Sequence, residues 1–280
     1  MIIKSLHLYP VKSLGGISVP TIEVDSLGLL WDRRYMVVDG NTSRFMSQRS
    51  TPRMALISTS ISAARLQLTV PSGAFISIGH SGSDGPSRTA TVWNDDVSVS
   101  DCGDDAAFFL SDALQKNCRL VRLGSNYHRP VRTKTSPRRD TALLPRNVGF
   151  ADAFPVLIVS EASLASLNDR LIEKGEDAVP MNRFRPNIVV SDCPAFAEDT
   201  WVQYRAGSLL FANMGPCARC TVVTTDQTSG FQTKEPLQTL AEFRRDPADP
   251  GKVNFGQNAL VETFSGSCSV GDTITLLGQN

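Results

Sequence analysis

Apolar residues in the first ~100 positions recur mostly at every second place, the spacing of strands that bury one face. Leu6-His7-Leu8 alternates, Val19 to Val24 follows the Gly15-Gly16 turn, and Leu66, Leu68 and Val70 alternate up to Pro71-Ser72-Gly73. Tyr35 to Val38 runs into Asp39-Gly40-Asn41, where glycine accepts the positive φ of a hairpin turn. Thr91-Val92-Trp93 and Val97-Ser98-Val99 flank Asn94-Asp95-Asp96 as a second hairpin. Short strands so closely spaced predict a small barrel or sandwich. The period then changes. Ala106, Phe109, Leu110 and Leu114 fall roughly on one side of a helix over Asp104 to Leu114, with acids in its first turn.

After Val121-Arg122-Leu123 comes Gly124 to Arg139, rich in Arg, Lys, Ser and Pro and without apolar periodicity. It reads as a linker or loop and predicts two domains, residues 1–123 and 124–280. The second opens on a buried-strand run, Phe154 to Val159. The clearest helix of the chain follows: Ser160 caps it, Glu161 sits in its first turn, Leu164, Leu167 and Leu171 form its stripe, and Gly175 ends it. Asn187 to Val190, Leu209 to Phe211, Thr221 to Thr225 and Gly271 to Leu277 read as strands, and Glu235-Pro236 opens a short helix with Leu237, Leu240 and Phe243. The expected class is mainly β with some helices (α+β), as two β-barrel-like units.

Composition narrows the function more than the fold. Apolar residues make up 41% of 280 residues, and 28 Lys plus Arg balance 28 Asp plus Glu, an ordinary globular profile. No net field argues for nucleic acid or an anionic membrane surface, and no run of about 18 apolar residues predicts a membrane span. Met1-Ile2-Ile3 enters a strand-like segment rather than a charged leader, so a cytoplasmic location is expected. The six cysteines, at 102, 118, 193, 217, 220 and 268, are too thinly spread for a disulfide framework. Cys102, Cys118, Cys193 and Cys268 read as small buried hydrophobes.

Cys217-Ala218-Arg219-Cys220 stands apart. A structural zinc needs four ligands, and the chain has no second Cys-x-x-Cys; its histidines, His7, His80 and His128, are scattered through the first half. A thioredoxin-like pair opens a helix, whereas a β-branched run, Thr221 to Thr225, follows here. Two buried thiols in a turn, or one thiolate presented to a metal whose other ligands come from a cofactor, remain open at this point. Gly215-Pro216 before the pair and Arg219 within it suit the second role better.

The chain resembles the MOSC proteins that carry an N-terminal β-barrel domain, and is most similar to the mitochondrial amidoxime-reducing component and its bacterial relatives. The resemblance rests on Tyr9-Pro10-Val11-Lys12-Ser13, Asp32-Arg33-Arg34-Tyr35, Arg49 with Pro52-Arg53, Ser160 to Leu164, Phe184-Arg185-Pro186-Asn187, Cys217 to Cys220, Lys234 to Leu237, Phe255-Gly256-Gln257 and Gly271-Asp272. It implies a molybdenum cofactor, with Cys220 as the thiolate on the metal and Cys217 as a bystander. It also implies that Lys12, Ser13, Arg33, Arg185 and Asn187 hold the pterin and its phosphate, and that Ala218 and Arg219 border them. The family's Asp-Thr-Ser is here Asp152-Ala153-Phe154, so Asp152 alone carries over, and the aromatic that can follow Phe-Gly-Gln is here Asn258. Plainer readings exist: Lys12 and Arg33 as surface charges, Arg185 paired with a carboxylate, Asp152 as a cap or turn residue.

What the resemblance implies is a molybdenum-dependent oxidoreductase that removes oxygen from N-hydroxylated small molecules, namely amidoximes, hydroxylamines and N-hydroxylated base analogues, as in detoxification. The resemblance further implies pyridoxal phosphate binding. No cysteine cluster follows Cys268, so an external donor is expected: a ferredoxin, a flavodoxin, or a cytochrome with its reductase. The alternative is a cofactor carrier or sulfur-transfer protein without turnover of its own. The basic stretch Arg129, Arg132, Lys134, Arg138 and Arg139 reads as a solvated loop or as a docking patch for an acidic donor.

Overall fold

A computed structural model describes residues 1–80, 85–131 and 147–279. Its largest sheet has eight strands, in the order Ile274–Gln279, Trp201–Ala206, Leu209–Ala218, Asn254–Val261, Val156–Ser160, Ile188–Ser191, Ile2–Leu8 and Ile17–Val19. Neighbours are antiparallel except at the centre, where Val156–Ser160 runs parallel to Ile188–Ser191. A parallel pair needs a crossover, and helix Glu161–Glu173 supplies it, its first turn closed by the Ser160 hydroxyl accepting from the Ser163 amide at 3.0 Å. Both central strands are buried on both faces, which is why they read as continuous Val/Ile runs. Strand Ile2–Leu8, from the other end of the chain, pairs with Ile188–Ser191 and closes one core with Ile3 and Leu6 against Ile158, Tyr204 and Phe211.

A second sheet of five strands runs Ser87–Val92, Asp95–Asp101, Cys118–Leu123, Tyr35–Asp39 and Val11–Lys12. Helix Asp104–Leu114 buries Ala106, Leu110 and Leu114 against Val37, Leu68 and Leu120. Two three-stranded sheets complete the framework. The protein is mainly β with three α-helices among the described residues, as the patterning predicts.

Five local expectations shift. Val19 to Val24 is split at Pro20, which has no N–H to give a ladder, into Ile17–Val19 and Thr21–Asp25. The Val92–Asp95 pairing moves the second hairpin's turn to Trp93-Asn94. Thr221–Thr224 forms a 3-10 turn rather than a strand. Its Thr224 hydroxyl donates to the Thr221 carbonyl at 2.8 Å while Val223 enters the core, so local bonding and burial override β propensity. The short helix begins at Leu237, with Pro236 at its cap. The last strand starts at Ile274, because Gly271 and Asp272 form a turn in which the Asp272 carboxylate accepts from the Ser269 amide at 2.8 Å. Cys118 and Cys268 are buried, while Cys102 and Cys193 are only partly so.

Candidate functional site: a cationic cradle beside a lone thiol

Five stretches distant in sequence meet between the two main sheets. The two-residue strand Val11–Lys12 lies parallel to Tyr35–Met36, and the loop before it is tied down by the Arg33 amide donating to the Tyr9 carbonyl at 2.8 Å. The Arg33 carbonyl accepts from the Phe150 amide at 2.9 Å, bringing the Asp152 segment alongside. The Tyr9 hydroxyl donates to the Pro186 carbonyl at 3.1 Å, bringing in the Arg185 segment. Two register shifts late in strand Leu209–Ala218 carry Cys217 to Cys220 away from the regular sheet. Of nine described non-glycine residues with positive φ, Ser13, Arg33, Trp93 and Arg185 lie here. Such conformations are costly and gather at sites that need them.

One layer of the site is hydrogen-bonded to capacity. Asn187 is 1% exposed; its carbonyl accepts from Arg33 Nη1 at 3.0 Å and from the Leu157 amide at 3.2 Å, and its amide donates to the His7 carbonyl and Asp32 Oδ1. Asp32 also accepts from the Tyr9 amide and pairs with Arg33. Asn187 therefore orients Arg33. Both Arg33 and Arg185 lie over the Tyr9 ring, at 4.5 and 4.2 Å. Burial pushes the Tyr9 phenol up to about 12 despite those two cations, so it stays a neutral donor.

A second layer is left open. Arg185 Nη2 is buried and has no hydrogen-bond partner, and among the described residues no carboxylate pairs with this guanidinium. Burial, with repulsion from Arg33, draws Arg185 down to about 10; it is still a cation at neutral pH. Arg219 donates to the Phe184 carbonyl at 2.8 Å and to Cys217 Sγ at 3.0 Å, leaving its Nε buried and unpartnered. Lys12, 5% exposed, donates to the Phe150 carbonyl at 2.9 Å and pairs with Asp152. Burial lowers the Lys12 pKa, opposed by Asp152. Burial also opposes ionisation of Asp152, but Lys12 and Arg49 outweigh it and hold that carboxyl well below the usual range. Lys12 and Arg33 are thus not surface charges, and Asp152 is an ion-pair partner rather than a cap.

Five cations, Lys12, Arg33, Arg49, Arg185 and Arg219, face two carboxylates, Asp32 and Asp152. A cavity of about 590 Å³ opens beside them, lined among others by Tyr9, Gly15, Gly16, Asn182, Arg185 and Gln227. Cys220 is partly exposed and precedes a single 3-10 turn, too short for a dithiol-activating helix. Cys217 is partly exposed as well; burial pushes its thiol up, against the pull of Arg219. No three His, Cys, Asp or Glu side chains gather as a metal cage among the described residues. These groups fit an anionic, metal-bearing cofactor: unpartnered buried guanidinium nitrogens, a cation surplus and one soft thiol.

The remaining expected residues are placed less centrally. Ser13 is a turn residue whose carbonyl accepts from Gln48 at 2.9 Å, and Ala218 ends its strand opposite Asn254. Asn258 donates to the Pro216 carbonyl at 3.1 Å, bracing the thiol loop instead of facing the cations. Arg129 is not part of a solvated loop. It is 4% exposed, donates to the carbonyls of Gly149, Ala151 and Asp152 and pairs with Asp95 at 3.1 Å, so it clamps the segment bearing Asp152. Arg132, Lys134, Arg138 and Arg139 lie outside the described residues. Tyr9, Asp32 and Arg49 are site residues to which the motifs assign no role, although each stands in a stretch that carries the resemblance.

The family models match in the same arrangement: the MOSC N-terminal beta barrel domain over residues 1–117 and the MOSC domain over residues 145–275. Mitochondrial amidoxime-reducing component 1 of Mus musculus is 34% identical, over 99% of this chain and 82% of its own length. Mitochondrial amidoxime reducing component 2 of Bos taurus is also 34% identical, over 99% and 83%. Molybdenum cofactor sulfurase of Oryza sativa subsp. japonica is 32% identical over 91% of this chain, which spans 32% of that relative. With both domains matched and this identity held along nearly its whole length, the chain belongs to the MOSC family, in the branch with an N-terminal β-barrel domain that includes the mitochondrial amidoxime-reducing components.

Proposed function

We propose that this protein holds the molybdenum cofactor between its two sheets and reduces N-hydroxylated small molecules with electrons from a separate carrier protein. The observation that carries the reading is the pairing of a partly exposed thiol, Cys220, with a cation-rich cradle whose Arg185 keeps a buried nitrogen unpartnered. Relatives named for amidoxime reduction, aligned over 99% of this chain, support it. Lys12, Arg33 and Arg185 would hold the phosphate, Asn187 would fix Arg33, and Cys220 would bind the metal. When bound, the cofactor supplies two-electron redox chemistry. The chain contributes position and charge; Asp152, held ionised, is a hydrogen-bond acceptor at the mouth and not a proton donor.

A second reading is a carrier or sulfur-transfer role, favoured by the likeness to molybdenum cofactor sulfurase, of which this chain spans 32%. Molybdenum analysis of the purified protein, combined with reduction of benzamidoxime and an N-hydroxylated base under several electron donors, separates the two. Metal with turnover supports the reductase; metal without turnover under any donor supports the carrier, and absence of molybdenum after expression in a cofactor-competent host defeats both.

A further inference from the structure

Arg49 differs from the other cations of the site in exposure and in company. The Lys12 side chain is 6% exposed and that of Arg33 15%, against 27% for Arg49 and 52% for its partner Asp152. The cluster therefore grades from a buried floor to an open rim, and Arg49 stands on the rim. Arg49 Nη2 donates to Asp152 Oδ2 at 3.2 Å, and Asp152 together with the neighbouring Cys220 raises the Arg49 pKa against its burial. It is thus a rim cation on the side of the site where Cys220 lies.

A further contact is the Trp93 ring, over which the guanidinium lies at 4.6 Å. Trp93 occupies an unusual position. Val92 pairs with Asp95, so Trp93 and Asn94 alone make the turn, and Trp93 has φ +57. The first place of a two-residue turn with positive φ there favours glycine, and a bulky residue holds that conformation only when its surroundings fix it. Phe45 fixes it, with ring centroids 4.9 Å apart. In this strained slot the indole backs the Arg49 guanidinium.

We propose that Arg49, propped by Trp93, is a substrate-binding residue that donates to the N–O oxygen of the substrate, beside Asp152 as acceptor for an adjoining N–H. This rests on the reductase reading above. A guanidinium is a donor only and an ionised carboxylate an acceptor only. Held together by their own ion pair, they offer one donor and one acceptor side by side on the exposed rim, with lone pairs and N–H groups to spare. Amidoximes and N-hydroxylated cytosine-type bases match this pattern, because each carries an N–O oxygen next to an N–H. Tertiary amine N-oxides carry the oxygen without the N–H.

The test compares Arg49→Met, Arg49→Lys and Trp93→Gly with the wild-type holoprotein. Readouts are molybdenum per chain, melting temperature, kcat and KM for benzamidoxime, and its calorimetric Kd. Expected are molybdenum contents near wild type, and KM and Kd raised about tenfold or more in Arg49→Met, as loss of a charge-assisted hydrogen bond requires. Arg49→Lys recovers part of the loss, and Trp93→Gly moves KM in the same direction while relieving the turn. The preference for benzamidoxime over N,N-dimethylaniline N-oxide narrows in Arg49→Met. Wild-type KM and Kd in Arg49→Met overturn the proposal, and so does molybdenum loss in step with activity, which would make Arg49 a cofactor anchor. If Arg49→Met does not fold, Arg49→Lys and Trp93→Gly decide on the same criteria. A molybdenum-loaded wild type that reduces nothing removes the reductase reading itself, whereas an active wild type with an unaffected Arg49→Met removes only the role of Arg49.

Discussion

Asn187 and Arg185 are two residues apart on one segment, yet they stand at opposite extremes of satisfaction. Asn187 uses both donors and accepts twice, joining Asp32, Arg33 and two backbone groups into a closed network. Arg185, also buried, stacks on Tyr9 and leaves Nη2 with nothing to bind. A buried polar group without a partner works against the fold, and at Arg185 it lies beside a saturated network and a cavity where a ligand can take it. The closed layer holds the shape of the site, and the open layer carries its affinity.

The sharpest way to break this contrast is to truncate each side in turn and measure apo stability and cofactor retention separately. Asn187→Ala strands Arg33, Asp32 and the Leu157 amide, and denaturant unfolding of the apoprotein should show a loss of about 2–4 kcal/mol. Arg185→Met should do the reverse. Removing an unpaired buried charge leaves the apoprotein at least as stable as wild type, while cofactor affinity, followed by molybdenum retention on dilution, falls about ten- to a hundredfold. Equal destabilisation by both would erase the distinction between the layers.

The smallest effect concerns the rim. The folded-state pKa of Asp152 lies below its unfolded value, near 3.9 for a free aspartate. Its contribution is therefore fully present above that value and fades as pH falls towards the folded pKa. Because the carboxyl is half exposed, solvent screens the contribution. The stability difference between wild type and Asp152→Asn should be modest at pH 7, largely retained at pH 5 and reduced at pH 3, as read by denaturant midpoints at each pH. A difference that grows as the solution is acidified contradicts the assignment.

The two layers were unequally legible in the sequence. Lys12, Arg33, Arg185 and Cys220 stand in ordered motifs and could be named from them. Tyr9 could not, because its role arises from a hydrogen bond to Pro186, 177 residues away, and from two guanidiniums over its ring. Asn187 was named, but its saturation depends on partners from three other stretches. Arg49 and Trp93 were unassigned for a similar reason: the turn carrying Trp93 is set by the Val92–Asp95 register, one place from where its polar residues suggested. Alternating patterns revealed most strands of the first half. They did not reveal that Ile2–Leu8 joins the sheet of the second half, since pairing partners so distant leave no local signal. The β-branched Thr221–Thr224 misled, because a side-chain hydrogen bond to its own backbone decided its shape.

Cys217 and Cys220 are both partly exposed but differ in company: the first accepts from Arg219 and packs against the core, the second stands on the Arg49 side. X-ray absorption at the molybdenum edge of the loaded protein tests that asymmetry directly. Cys220→Ser is expected to lower the number of sulfur atoms bound to molybdenum by one, and Cys217→Ser to leave it unchanged. A sulfur count unaffected by Cys220→Ser, or lowered by Cys217→Ser, would contradict it.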